Sequence, residues 1–260
     1  VWGGATINPE FYQPAVLQDQ LNSRFGRWPE GSTVQTERVA HAVRIMTEYV
    51  LPELDPAVAI FWSSDPDSTQ HASGVGSEAG RPALRGADAQ LGALMKWLEQ
   101  SGREADTDLL IVSDHGHSTI TEIVPVEDKV RDAGFPEGRV PGGVVVAENG
   151  GSALFYTTDG DPETAERLAV WLMEQEWCGS LTVSDAVGEI PGTLPSSIVG
   201  NQGPRGPEIA MSFRWNSAPN DSGYHGKVYS TGGRAGQGQH GSMSKHEMNN
   251  VMFAWGPGLK

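Results

Sequence analysis

The sequence has one cysteine, Cys178, in 260 residues. A single thiol excludes an intrachain disulfide and any zinc site built from several cysteines. Positive charge is also scarce. Eighteen Lys and Arg stand against 33 Asp and Glu, a formal net charge of −15. Phosphate backbones attract basic surfaces, so non-specific nucleic-acid binding is excluded as a principal role. A small phosphorylated substrate is not excluded, because bound cations reverse the local sign of a site. Long apolar runs are missing, and no segment reads as a membrane span. Three catalytic signatures are absent as well: the G-x-S-x-G elbow, the G-x-x-x-x-G-K-[ST] phosphate loop and H-E-x-x-H. VWGGATINPEF lacks an initiator Met, and WGPGLK ends just after an apolar run. Both ends read as cut, so the lack of a leader segment excludes nothing.

The apolar runs that do occur are short. Residues 57–62 (AVAIFW) and 109–112 (LLIV) each predict a strand buried on both faces. Between them Ser77 predicts the cap of a long helix with Leu84, Ala87, Leu91, Met95 and Leu98 as one stripe, ended at Ser101-Gly102. Upstream, Ser32 to Gln35 reads as a capping box. Val39, Val43, Met46 and Val50 follow at helical spacing until Pro52, where proline predicts a stop. Strand–helix–strand order predicts a mostly parallel central sheet flanked by helices. At this length the chain reads as a single α/β domain over 1–260. Residues 144–147 and 153–156 read as a strand pair around Asn149-Gly150-Gly151, 163–175 as a helix, and 209–213 and 251–255 as strands. Two glycine-rich stretches, 188–207 and 216–244, read as long loops, which in compact domains are often functional.

Chemistry concentrates after the two predicted buried strands. The first leads into Ser63-Ser64-Asp65-Pro66-Asp67-Ser68-Thr69-Gln70-His71, the second into Ser113-Asp114-His115-Gly116. In open α/β sheets ligands bind beyond the carboxyl ends of strands. Asp67 and His71 are four apart, so one helical turn brings them to a common face. Asp114 and His115 are adjacent, and Gly116 allows a bend that aims both inward. A third stretch, GQGQHGSMSKHEM at 236–248, sets His240 between Gly238 and Gly241. Carboxylate oxygen with imidazole nitrogen suits zinc, manganese or iron(II). Taken singly, such residues are more often caps or solvated side chains; their grouping carries the argument. His117 borders this grouping and is read as supporting it. His41, His225 and His246 are read as structural or solvated.

PDSTQH at 66–71, SDHG at 113–116 and GQHGS at 238–242, in that order and running on to WGPGLK, resemble the alkaline phosphatase superfamily, and within it the type I phosphodiesterase/nucleotide pyrophosphatase branch. The resemblance spans the whole chain, INPEFY near the start included. It implies an alkaline-phosphatase-like α/β fold, truncated at both ends, with two divalent metal ions, zinc foremost and manganese or iron as alternatives. By motif match Asp67, His71 and His240 bind one ion, and Asp114 and His115 the other. The same resemblance implies a further Asp ligand and a Thr or Ser nucleophile upstream of D-x-x-x-H. Thr6, Ser23, Ser32 and Thr33 do not follow a buried strand, so the nucleophile is expected upstream of Val1 and the 260-residue chain is expected to be inactive. For the intact parent the implied reaction is in-line attack on a phosphodiester or pyrophosphate, through a covalent phospho- or nucleotidyl-enzyme that water hydrolyses. Phosphonate and phosphomonoester hydrolases share the metal constellation and are the near alternatives. A sulfatase needs a modified residue in C/S-x-P-x-R, and Cys178 is followed by Gly-Ser-Leu. The alternative of a different class is a catalytically inactive metal-binding domain of the same fold.

Overall fold

The structure, a computed structural model, describes residues 4–259. The chain divides into two compact units, one formed by residues 1–111 with 252–260 and the other by 112–251. Among the described residues no helix is long and apolar enough to cross a membrane.

In the first unit a short antiparallel hairpin, Thr6–Ile7 with Tyr12–Gln13, precedes the helix Leu17–Phe25. Its core is built from Tyr12, Leu17, Leu21, Phe25, Ile45 and Tyr49, and Trp28 Nε1 donates to the Tyr12 hydroxyl at 2.7 Å. The helix Thr36–Ile45 continues as a wider π-helix, Met46–Leu54. Two local expectations fail here. Helix formation begins at Thr36 and not within a capping box, because the Gln35 N–H is taken by the Asp65 carboxylate. Pro52 does not stop the helix; the chain turns out at Asp55, which has φ 42°. The long helix Gly80–Ser101 is close to expectation, with the Ser77 hydroxyl accepting the Gly80 N–H at 3.0 Å and Gly102 ending it at φ 73°. Of its stripe, Leu98 is buried while Leu84 and Met95 are exposed.

Residues 57–62 are not a strand. Val58, Ile60 and Trp62 are 78%, 81% and 73% exposed. An extended run becomes a strand only beside a neighbour that takes its N–H and C=O groups, and no described strand pairs with this one. The strand Leu109–Val112 does form and pairs with Met252–Trp255. It is not buried on both faces, since Leu110 and Val112 are exposed.

The second unit holds two sheets. One runs in the order Val144–Asn149, Ser152–Thr157, Ile209–Phe213, Cys178–Val183, Leu194–Pro195. The other runs Trp215–Pro219, His225–Ser230, Ser118–Ile123, Gly238–Gln239. Both are mixed, which corrects the expectation of a mostly parallel sheet. Among the described residues of these sheets, only Cys178–Val183 with Leu194–Pro195 and His225–Ser230 with Ser118–Ile123 pair in parallel. The tight turn at Gly150-Gly151 forces its flanking strands antiparallel, since a parallel return needs a long crossover. The stretch 216–244, which the sequence leaves as loop, supplies the strands His225–Ser230 and Gly238–Gln239 and most of Trp215–Pro219. The helix Pro162–Met173, capped by Asp161 accepting the Glu163 N–H at 3.2 Å, buries Ala165, Leu168, Ala169 and Leu172. These join Phe155, Ile209, Met211 and Phe213 in one core. Cys178 belongs to it at 3% exposed, and burial pushes its thiol up to about 11.

Leu168 is fully enclosed, so Leu168→Ala is expected to cost about 2–5 kcal/mol. Urea denaturation would show this as a lower midpoint with an unchanged slope. The exposed Leu84→Ala is the control and should move stability by no more than about 0.5 kcal/mol.

Candidate metal centre

In the first unit SSDPDSTQH divides its two aspartates between different tasks. Asp65 is buried. Its carboxylate accepts the Thr69 N–H at 3.3 Å, lies 2.7 Å from the Thr69 hydroxyl, and accepts the Gln35 N–H. It therefore anchors the start of the helix Asp67–Ser73. Asp67 and His71 stand one turn apart on that helix, with His71 Nε2 3.4 Å from Asp67 Oδ1. Their spacing in the sequence dictates this pairing.

In the second unit sheet register does the assembly. Gln239 lies opposite Ser118 in an antiparallel pair, so the next residues out, His240 and His117, leave the sheet together. The rings of His115 and His240 stack with centroids 3.6 Å apart. His117 meets both edge-on, at 5.3 Å from His115 and 5.4 Å from His240. One ring nitrogen from each of the three lies within 4.8 Å of the others. His117, expected only to border the site, thus stands as near its centre as the other two.

Both ring nitrogens of His115 have oxygen neighbours. Its Nδ1 lies 3.0 Å from the Gly116 carbonyl oxygen, a contact that orients the ring and suits a metal-binding imidazole whose other nitrogen is the ligand. Asp114 flanks the same ring, with Oδ2 3.4 Å from His115 Nε2 and Oδ1 accepting the His115 N–H at 3.1 Å. The Asn250 side-chain amide donates to the carbonyls of Ser113 at 3.1 Å and Asp114 at 2.7 Å, which fixes the turn.

The His240 loop is held just as closely. The His240 carbonyl accepts the Gly151 N–H at 2.8 Å. Gly241 has φ 100°, and a Cβ there would stand 2.8 Å from the Asn149 carbonyl oxygen, so only glycine fits. Gly116 is glycine for a different reason from the bend expected of it. Its φ is not in the left-handed range, but a Cβ would stand 2.3 Å from the His246 carbonyl oxygen. His225 and His246 lie outside the imidazole group. His225 Nδ1 is 2.7 Å from the Ser217 carbonyl oxygen, and His246 Nε2 is 3.0 Å from the Ser217 hydroxyl. Burial first, and then Lys245, hold the His246 pKa below its ordinary value.

Sequence reading missed Glu247, a buried carboxylate after the His240 loop. The signal was present. Ser244-Lys245-His246-Glu247 is an S-x-x-E capping pattern, and Ser244 does cap the helix Lys245–Met248.

Three aromatic nitrogens beside a carboxylate form a donor set suited to a divalent transition metal. Comparison with known proteins gives the family. The family model for type I phosphodiesterase / nucleotide pyrophosphatase matches residues 1–242. No curated protein matches the chain. Among solved structures, murine ectonucleotide pyrophosphatase / phosphodiesterase 5, as an inactive variant in complex with AMP, aligns with a TM-score of 0.54 at 20% identity over 89% of this chain. A second structure of the murine protein gives 0.53 at 18%, and the human one 0.52 at 16%, each again over 89% of this chain. The chain spans 55% of the length of each of these proteins, and at such identities the likeness is one of fold. The match of the family model over residues 1–242 places the chain in the type I phosphodiesterase/nucleotide pyrophosphatase family, within the alkaline phosphatase superfamily.

Proposed function

We propose that this chain is part of a metal-dependent hydrolase of phosphodiester or pyrophosphate bonds, acting on a small nucleotide-like substrate. The observation that carries the proposal is the group of His115, His117 and His240 nitrogens within 4.8 Å of one another, in a chain of this family. The AMP complex of the murine relative supports a nucleotide as substrate. Following the family's motif order, Asp67, His71 and His240 are assigned to one ion, and Asp114 and His115 to the other. His117 is placed beside them as a further imidazole donor. Zinc is the first choice of ion, with manganese and iron(II) behind it. A divalent ion bound there would offset negative charge at the phosphoryl oxygens.

The chain's own residues prepare that chemistry. The Gly116 carbonyl, 3.0 Å from His115 Nδ1, orients the ring so that Nε2 is the nitrogen offered to an ion. Asn250 fixes the backbone that carries Asp114. The Thr or Ser nucleophile of the family's mechanism is assigned to none of the 260 residues.

The test is a metal analysis and a substrate panel, run on this chain and on the longest reading frame that encodes it. Both should carry a divalent transition metal after purification without chelator. The longer protein should hydrolyse a nitrophenyl phosphodiester about tenfold or more faster than the phosphomonoester, phosphonate or sulfate ester, and a chelator should abolish the rate. The 260-residue chain alone should turn over at least about 100-fold more slowly, for want of a nucleophile. A rate indifferent to chelator, or a preference for the sulfate ester, would sink the reading.

A further inference from the structure

Glu247 is 2% exposed, and neither the motifs nor the assigned ligands give it a task. Burying a carboxylate is costly unless its oxygens are hydrogen-bonded, so its contacts reveal its use. Oε2 accepts the Ser242 N–H and Oε1 the Ser242 hydroxyl, each at 2.7 Å. The Ser242 hydroxyl oxygen accepts the Ser244 N–H at 3.1 Å, and the Ser244 hydroxyl oxygen accepts the His246 N–H at 3.2 Å. The side chain thus closes a small ring on the backbone two residues after His240. The main chain of Glu247 reaches the opposite way. Its carbonyl accepts the Gly116 N–H at 2.7 Å, one residue from His115. A single residue therefore touches both loops that deliver the stacked imidazoles.

We infer that Glu247 is a positioning residue that ties the His240 loop to the SDHG turn and sets the spacing of His115 and His240 before any ligand arrives. Bonds to an ionised carboxylate are roughly twice as strong as neutral ones, and donors already in place lose little freedom when an ion binds. For its purpose the inference rests on the metal-dependent reading above; the tie itself belongs to the metal-free protein. A purely local role makes a different prediction. If the carboxylate only ordered the turn at 242–244, removing it would leave Gly116 undisturbed, because Gly116 meets the Glu247 backbone and not its side chain.

Amide hydrogen exchange at Gly116 and Ser242, followed by NMR in the metal-free protein, separates the two. In Glu247→Ala both amides should exchange about tenfold or more faster. Cobalt(II), followed by its visible absorption, should then bind roughly 10–100-fold more weakly with a shifted spectrum. Glu247→Gln keeps an oxygen for the Ser242 N–H and should recover most of both. Faster exchange at Ser242 with Gly116 unchanged overturns the inference, as does equal cobalt affinity in all three proteins. If the alanine variant does not fold, Glu247→Asp, one methylene short, must show both losses. If the unmodified protein takes up no cobalt, the metal reading fails, and the exchange at Gly116 still decides the tie.

Discussion

Replacing His240 by alanine is expected to lower zinc affinity by roughly 100-fold while leaving the fold intact. Zinc held by a full protein site is worth about 10–16 kcal/mol, so one of four donors accounts for about 3 kcal/mol. His240 is one of three imidazoles whose nitrogens lie within 4.8 Å of one another. Its loop is held by backbone contacts that do not involve the ring: the His240 carbonyl accepts the Gly151 N–H, and the His240 N–H donates to Gln239 Oε1 at 3.1 Å. Loss of the ring therefore removes a donor without removing the loop. Competition against a chromophoric chelator measures the effect, and His225→Ala, outside the group, is the control. An affinity for His240→Ala within threefold of the unmodified protein would remove His240 from the site.

Gly116→Ala should act on both stability and metal binding. The added methyl would stand 2.3 Å from the His246 carbonyl oxygen and 3.3 Å from Glu247 Cα. Both are backbone atoms, so no rotamer change relieves the clash. Either the SDHG turn or the segment 246–247 must move, and the 2.7 Å bond from the Gly116 N–H to the Glu247 carbonyl is strained or broken. Overpacking costs about 1–3 kcal/mol and the lost hydrogen bond about 1 kcal/mol. Together these lower the melting temperature by roughly 5–15 °C. A melt within one degree of the unmodified protein, with zinc affinity unchanged, would show that the turn tolerates the methyl and that the close approach has no consequence.

These two positions also show what a sequence can reveal. His240 was legible because a glycine-flanked imidazole in a motif series is a chemical signal. Gly116 was legible as important, but for the wrong reason: its place depends on a segment 130 residues away in the chain, and no local pattern reports such an approach. The contact between Asp67 and His71 was legible, since spacing along one helical turn fixes it. The strand His225–Ser230 was invisible for a physical reason. Its buried positions are Gly226, Val228 and Ser230, so small residues fill places where hydrophobic periodicity expects large ones. Residues 57–62 failed in the opposite sense: apolar content was read as burial, yet the run has no described strand beside it. Glu247 looks like an ordinary charge on a surface helix until its two oxygens are seen inside the fold.

The lone thiol of Cys178 has a practical consequence. Only on the order of one molecule in ten thousand carries the reactive thiolate at neutral pH when a cysteine titrates near 11, and the surrounding core bars reagents from reaching it. Towards maleimides the native chain therefore behaves as though it had no cysteine. A single new one on the exposed strand Trp215–Pro219 could carry a fluorophore or spin label as the sole reporter, without first stripping the background.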